Sequence, residues 1–107
     1  MGNSAGILEI AVDHVRLDAM AAPGFREQVA ALLSGKPDRV LLDLDKVQFI
    51  DSTGIGVFVS LLKMMGPGGR VAVTGANDGV RRLFHMTRLD TLFRLCDDEG
   101  QARAVLA

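Results

Sequence analysis

The residues from Arg39 to Thr74 leave little choice of fold. Val40-Leu41-Leu42-Asp43-Leu44 is an almost unbroken apolar run with β-branched content, so Arg39 to Leu44 reads as a strand buried in a parallel sheet. A segment of helical length follows from Thr53 to Met65, and Gly66-Pro67-Gly68-Gly69 ends it. Arg70 to Thr74 is the next strand, with Gly75-Ala76 as a turn. Strands that alternate with helices in this way call for an α/β layer structure.

The flanks extend the pattern. Ile7 to Val12 reads as a first strand, and Val15-Arg16-Leu17 as a short second one, close enough to pair with it as a hairpin. Pro23 suits the first turn of a helix in which Phe25, Val29, Leu32 and Leu33 recur on one face, and Gly35-Lys36-Pro37 stops it. Asn77 is a good N-cap for a helix that aligns Val80, Leu83, Phe84 and Thr87. Thr91 to Cys96 supplies a last strand, and Asp98-Glu99 open a final short helix through Leu106. No repeat, low-complexity tract or linker interrupts the chain, so residues 1–107 are expected to form a single domain.

Composition narrows the function. With 49% apolar and 23% charged residues the chain is ordinary for a folded protein. A net charge of −1 gives no electrostatic footprint for nucleic acid. Tryptophan and tyrosine are absent and the phenylalanines sit in apolar runs, which argues against base stacking. Cys96 is alone, which fits a reduced, cytoplasmic setting. Gly56, Ser60 and Lys63 interrupt the longest apolar stretch, which is too short to span a bilayer, so no direct membrane insertion is expected. Residues 1–6 lack a basic start with an apolar core, and Gly6 spoils a myristoylation pattern after Gly2.

Enzyme-like patterns are weak. Asp43, Asp45 and Asp51 invite comparison with a receiver domain, but Ala11-Val12-Asp13-His14 offers one acid where a receiver needs a pair. Asp51-Ser52-Thr53-Gly54 has one residue more than the aspartic protease motif. His14 and His85 have no ligand partners at metal spacing, and Gly66 to Gly69 lacks the Lys-Ser/Thr of a phosphate loop. Arg81, Arg82 and Arg88 are read as a solvated face of the third helix.

The remaining feature is the run Phe49-Ile50-Asp51-Ser52-Thr53-Gly54-Ile55-Gly56-Val57. It puts a hydroxyl at a strand-to-helix junction, an exposed place where free backbone N–H groups favour an anion. Thr53, Gly56, Ser60 and Lys63 follow a helical spacing and form a thin polar or small stripe, with Val57 and Met64 at its edges. Residues alone allow two readings: a docking face for a partner, or a plain N-cap on a buried helix with a modest solvent edge.

The strand Val40-Leu41-Leu42-Asp43-Leu44, followed by Val47-Gln48-Phe49-Ile50-Asp51-Ser52-Thr53-Gly54-Ile55-Gly56, resembles the STAS family, the domain of sulfate transporters and anti-sigma factor antagonists. The family pattern is an apolar strand, an aromatic-Ile/Leu pair, then Asp-Ser-Ser/Thr-Gly-Leu/Ile-Gly. Leu17-Asp18, Gly68-Gly69, Val80-Arg81-Arg82-Leu83-Phe84 and the end Gln101 to Leu106 also match, so the resemblance covers nearly the whole chain. One departure is Arg88 before Leu89, where many members carry Gly.

The resemblance implies a small α/β fold: a mostly parallel sheet of four to five strands, with about four helices packed mainly on one face. It implies that Ser52 is phosphorylated by a partner that is both serine kinase and anti-sigma factor, and is reset by a serine phosphatase. Asp51 then shapes the site, Asp18 lies near it, and Gly54 and Gly56 allow close backbone approach. With Thr53, Val57, Ser60, Lys63 and Met64 these make the expected partner surface. The chain is expected to be a kinase substrate, not an enzyme, and to need no cofactor. The other role the family offers is a STAS subunit of a membrane transport system such as a lipid-transporting ABC complex.

Overall fold

The apolar run at the centre of the sequence becomes the middle of the main sheet. The computed structural model describes residues 2–4, by backbone alone, and 6–107; Met1 and Ala5, part of the stretch read above for leader signals, lie outside the described residues. Strands β1 (Gly2–Ser4), β2 (Ile7–Ala11), β4 (Arg39–Asp43), β6 (Arg70–Thr74) and β7 (Phe93–Leu95) line up in the order β1-β2-β4-β6-β7. β1 is antiparallel to β2, and every other neighbour is parallel, with Ile10 opposite Leu42 and Leu42 opposite Val73.

Both faces of this sheet are covered, which explains the unbroken apolar run in β4. Alternate residues point to opposite sides. Leu8, Ile10, Val40, Leu42, Val71, Val73 and Phe93 join the larger core under α1 (Ala22–Leu32), α2 (Ser52–Met64) and α3 (Asp78–Met86). Ile7, Leu41 and Ala72 face the other way, onto Ala102 and Leu106 of α4 (Glu99–Leu106) and Cys96. Three helices therefore share one face, as expected, and the short last one covers the other.

Phe58 of α2 is the hub of the larger core. Its ring lies 5.9 Å from Phe25, 5.9 Å from Phe84 and 6.2 Å from Phe93, centroid to centroid, so one side chain ties all three helices to β7. Such ring pairs contribute about 0.5–1.5 kcal/mol each beyond area burial.

Two local expectations are corrected. Val15-Arg16-Leu17 does not form a hairpin with the first strand. β3 (Arg16–Leu17) instead pairs in parallel with β5 (Phe49–Ile50), a strand the sequence reading did not contain. The reason is topological: β2 already has β1 on one edge and β4 on the other, so no edge is left for β3. The last strand is also shorter than Thr91 to Cys96, because a 3₁₀ turn at Leu89–Thr91 precedes it. That turn begins at Arg88, whose φ of 59° lies in the left-handed region. The residue that departs from the family's Gly thus keeps the backbone a Gly would adopt, at a cost of about 1–2 kcal/mol.

Candidate functional site

The two-residue strands β3 and β5 build the site. Leu17 and Ile50 are buried, whereas their neighbours Arg16 and Phe49 face outward, opposite each other in the register. The Arg16 guanidinium lies 4.4 Å from the centre of the Phe49 ring. At an exposed site such a cation–π contact is worth about 0.5–1 kcal/mol. The ladder runs on one step, with Asp51 N–H donating to Leu17 O at 3.1 Å. Asp18 and Asp51 consequently emerge at the same level, at the ends of two adjacent parallel strands.

Asp51 is the N-cap of α2. Its backbone is extended, its side chain accepts from Thr53 N–H at 2.8 Å and Gly54 N–H at 3.1 Å, and its carbonyl receives Ile55 N–H at 3.0 Å. A cap of this kind contributes about 1 kcal/mol. Ser52 is the first helical residue and is exposed. The expectation of free amides beside it is therefore corrected: the Asp51 carboxylate already occupies two of them and offsets the positive helix end.

Asp18 anchors the entry to α1. Its carboxylate accepts from Met20 N–H at 3.1 Å, Ala21 N–H at 3.2 Å and Arg16 Nε at 3.4 Å. The Ala21 N–H is the main reason this carboxyl is held below the usual carboxylate range; desolvation opposes it, and Met20 N–H and Arg16 reinforce it.

The glycines divide the work. A Cβ at Gly54 would stand 2.5 Å from Leu17 O and 2.9 Å from Ile50 Cγ2, so this glycine lets the first turn of α2 close onto β3 and β5. Its buried position serves the fold and offers a partner no approach. A Cβ at Gly56 would meet nothing within 4 Å, so that glycine does leave the surface open.

Val57 is 1% exposed and joins Gly54, Phe58 and Leu61 on the inward side, which corrects its expected place at an exposed edge. A helix turns about 100° per residue, so Val57 is swung well away from its neighbour Gly56. Thr53 and Lys63 are exposed, Met64 is half-buried, and Ser60 Oγ accepts from Arg26 Nη1 at 2.9 Å while donating to Gly56 O at 3.0 Å.

The sequence reading named Phe49 only as the aromatic of the motif and Arg16 only as a strand residue, and gave neither of them, nor Arg26, a place in the site. The placement of phenylalanines in apolar runs hid Phe49, which is 41% exposed. Beyond it, Gln48, Ile50, Gly79, Val80 and Leu83 line a shallow groove of about 200 Å³ between β5 and α3. The alternation Arg16-Leu17-Asp18 around a buried leucine was the available signal for Arg16.

Elsewhere the polar residues serve the fold. Asp43 Oδ1 accepts from Asp45 N–H at 2.9 Å in a turn, and the His14 ring meets the edge of Phe25. His85 Nδ1 lies 3.0 Å from Asp90 Oδ2. Arg81 is not simply solvated: it donates to Ala76 O, Cys96 O and Asp97 Oδ1, which fastens α3 to the strand beyond it. Burial pushes the Cys96 thiol up, away from the reactive thiolate. Among the described residues no group of three or more His, Cys, Asp or Glu side chains could hold a metal ion, and no helix is long and apolar enough to cross a membrane.

Known proteins place this geometry. The sequence matches the STAS domain over residues 5–102. It is 30% identical to the anti-sigma-B factor antagonist of Listeria monocytogenes over 108 aligned positions, covering 94% of this chain and 95% of that protein. The fold superposes on the crystal structure of an anti-sigma factor antagonist from Mycobacterium paratuberculosis with a TM-score of 0.87 at 23% identity, covering 98% and 89% of the two chains. It also superposes on the Bacillus cell fate determinant SpoIIAA in its phosphorylated form, with a TM-score of 0.69 at 17% identity and coverage of 95% and 93%.

Proposed function

This chain belongs to the STAS domain family, and we propose that it acts there as an anti-sigma factor antagonist. Unmodified, it binds an anti-sigma factor that is also an ATP-using serine kinase; phosphorylation of Ser52 ends that binding, and a phosphatase restores it. The chain is then a substrate rather than an enzyme, works without a cofactor, and acts on transcription in the cytoplasm.

The observation that carries this reading is the exposed Ser52 hydroxyl at the first position of α2, beside the cap Asp51 and next to the level of Asp18. The Listeria relative's name supports the antagonist role, and the phosphorylated Bacillus protein indicates that the fold tolerates a phosphate. A phosphate adds about −1.5 to −2 charges at neutral pH. Here it would enter a corner that already holds two carboxylates, so an acidic group of the bound partner would be repelled strongly. A loss of about 3 kcal/mol weakens binding roughly a hundredfold, enough for a switch.

Titration calorimetry with the purified kinase and the wild-type, Ser52→Ala and Ser52→Asp chains tests the mechanism. Ser52→Ala should bind like wild type, and Ser52→Asp at least about tenfold more weakly. Equal binding of Ser52→Asp and wild type would contradict it.

A further inference from the structure

We propose that Arg16 is the group within this chain that reads a phosphate on Ser52, exchanging Asp18 for it; this rests on the reading of Ser52 as a phosphorylated residue. Asp51 already holds the N–H groups of Thr53 and Gly54, so a phosphate at Ser52 does not find the backbone cradle that helix starts usually offer. It needs another counter-charge.

The charged side chains carried by β3, β5 and the residue that follows each are Arg16, Asp18 and Asp51, one cation and two anions. Arg16 already reaches two residues forward along β3 to Asp18 Oδ2. Asp18 is level with Asp51, and Ser52, the first helical residue, follows directly, its Cα about 3.8 Å from that of Asp51. The guanidinium is lightly held. It has one long hydrogen bond, through Nε at 3.4 Å, and the face of Phe49; its two Nη groups have no hydrogen-bond partner among the described residues. The side chain is 60% exposed and can swing.

Chemistry then favours the exchange. The two free Nη groups match the bidentate fork with which arginine binds phosphate oxygens. A phosphate near −2 attracts the guanidinium more strongly than the single charge of Asp18. Asp18 keeps the Met20 and Ala21 N–H groups on Oδ1, and only Oδ2, on a side chain 27% exposed, exchanges Arg16 for water. The unmodified face therefore offers a partner a positive group stacked on Phe49, and the phosphorylated face withdraws it. This adds a lost attraction to the repulsion described above, and it assigns to the partner a carboxylate opposite Arg16.

The test uses chain carrying phosphoserine installed at position 52 during translation, with no kinase involved. A ³¹P NMR pH titration compares the Arg16 chain with Arg16→Gln, while the Arg16 Nε resonance is followed in the former. The phosphate faces Asp18, Asp51 and the N-terminal turn of α2 in both chains, so their contributions cancel in the comparison. The expected result is a second ionisation about threefold stronger with Arg16 present, and an Arg16 Nε resonance that moves with the phosphate's titration. Identical phosphate titrations, or an Arg16 resonance indifferent to the phosphate, would overturn the proposal. Either result leaves the kinase question open to its own test, since the phosphate here does not depend on a kinase.

Discussion

Along α2, Gly54, Val57, Phe58 and Leu61 press inward against the sheet and β3, while Ser52, Gly56, Ser60 and Lys63 run up the open side. The two sides use the same residue type for opposite purposes. Gly54 is small because Leu17 O leaves no room, whereas Gly56 is small with nothing near it. The difference shows how a switch can be placed on a fold without endangering it. The inward side fixes the first turn of α2 against β3, and on the proposed reading a phosphate would add its charge on the open side, away from the core.

The comparison can be broken most forcefully on the inward side. Phe58→Ala removes the ring that joins α1, α2, α3 and β7 and should cost about 3–5 kcal/mol in urea unfolding. That is a large part of the stability of a small domain. Gly54→Ala should cost about 1–3 kcal/mol, because the added methyl must push the helix start away from β3. A Gly54→Ala chain as stable as wild type would mean that the helix is not held there. Gly56→Ala sharpens the contrast from the other side. It should leave the fold intact and raise stability by about 0.5–1 kcal/mol, since a mid-helix glycine is replaced where the methyl meets no atom. If the open side is the docking face, the same variant should weaken kinase binding despite its greater stability.

Acid provides the gentlest probe. The Asp18 carboxyl titrates lower in the folded chain than in the unfolded one, so its contribution is complete above the ordinary carboxylate range and is lost as pH falls through the lowered value. Asp18→Asn should therefore flatten the acid limb of a stability-versus-pH curve.

Most of the architecture was legible because it rests on long, regular signals. The β4 run, the helix closed by Gly66 to Gly69, the cap at Asn77 and the acidic start of the last helix at Asp98-Glu99 each followed from local residue chemistry. The site's frame was not legible in the same way. Two-residue strands carry no periodicity, and the pairing of Arg16 with Phe49 spans a whole strand and helix of intervening chain. Val57 lies about 100° round the helix from Gly56, and which of the two turns inward is settled only by the face that meets the sheet. The motif itself could be read to the residue, but the Asp51 side chain's hold on the Thr53 and Gly54 amides, which changes the electrostatics of Ser52, needed the folded backbone.

The most direct test of the account is intact-mass analysis of the protein isolated from its own host under growth and stress, wild type beside Ser52→Ala. The account predicts a phosphoryl-sized increment in the wild type that is absent from the variant. An unmodified wild type under every condition, or an increment that survives in Ser52→Ala, would contradict it and move the search for a partner to a membrane transport complex.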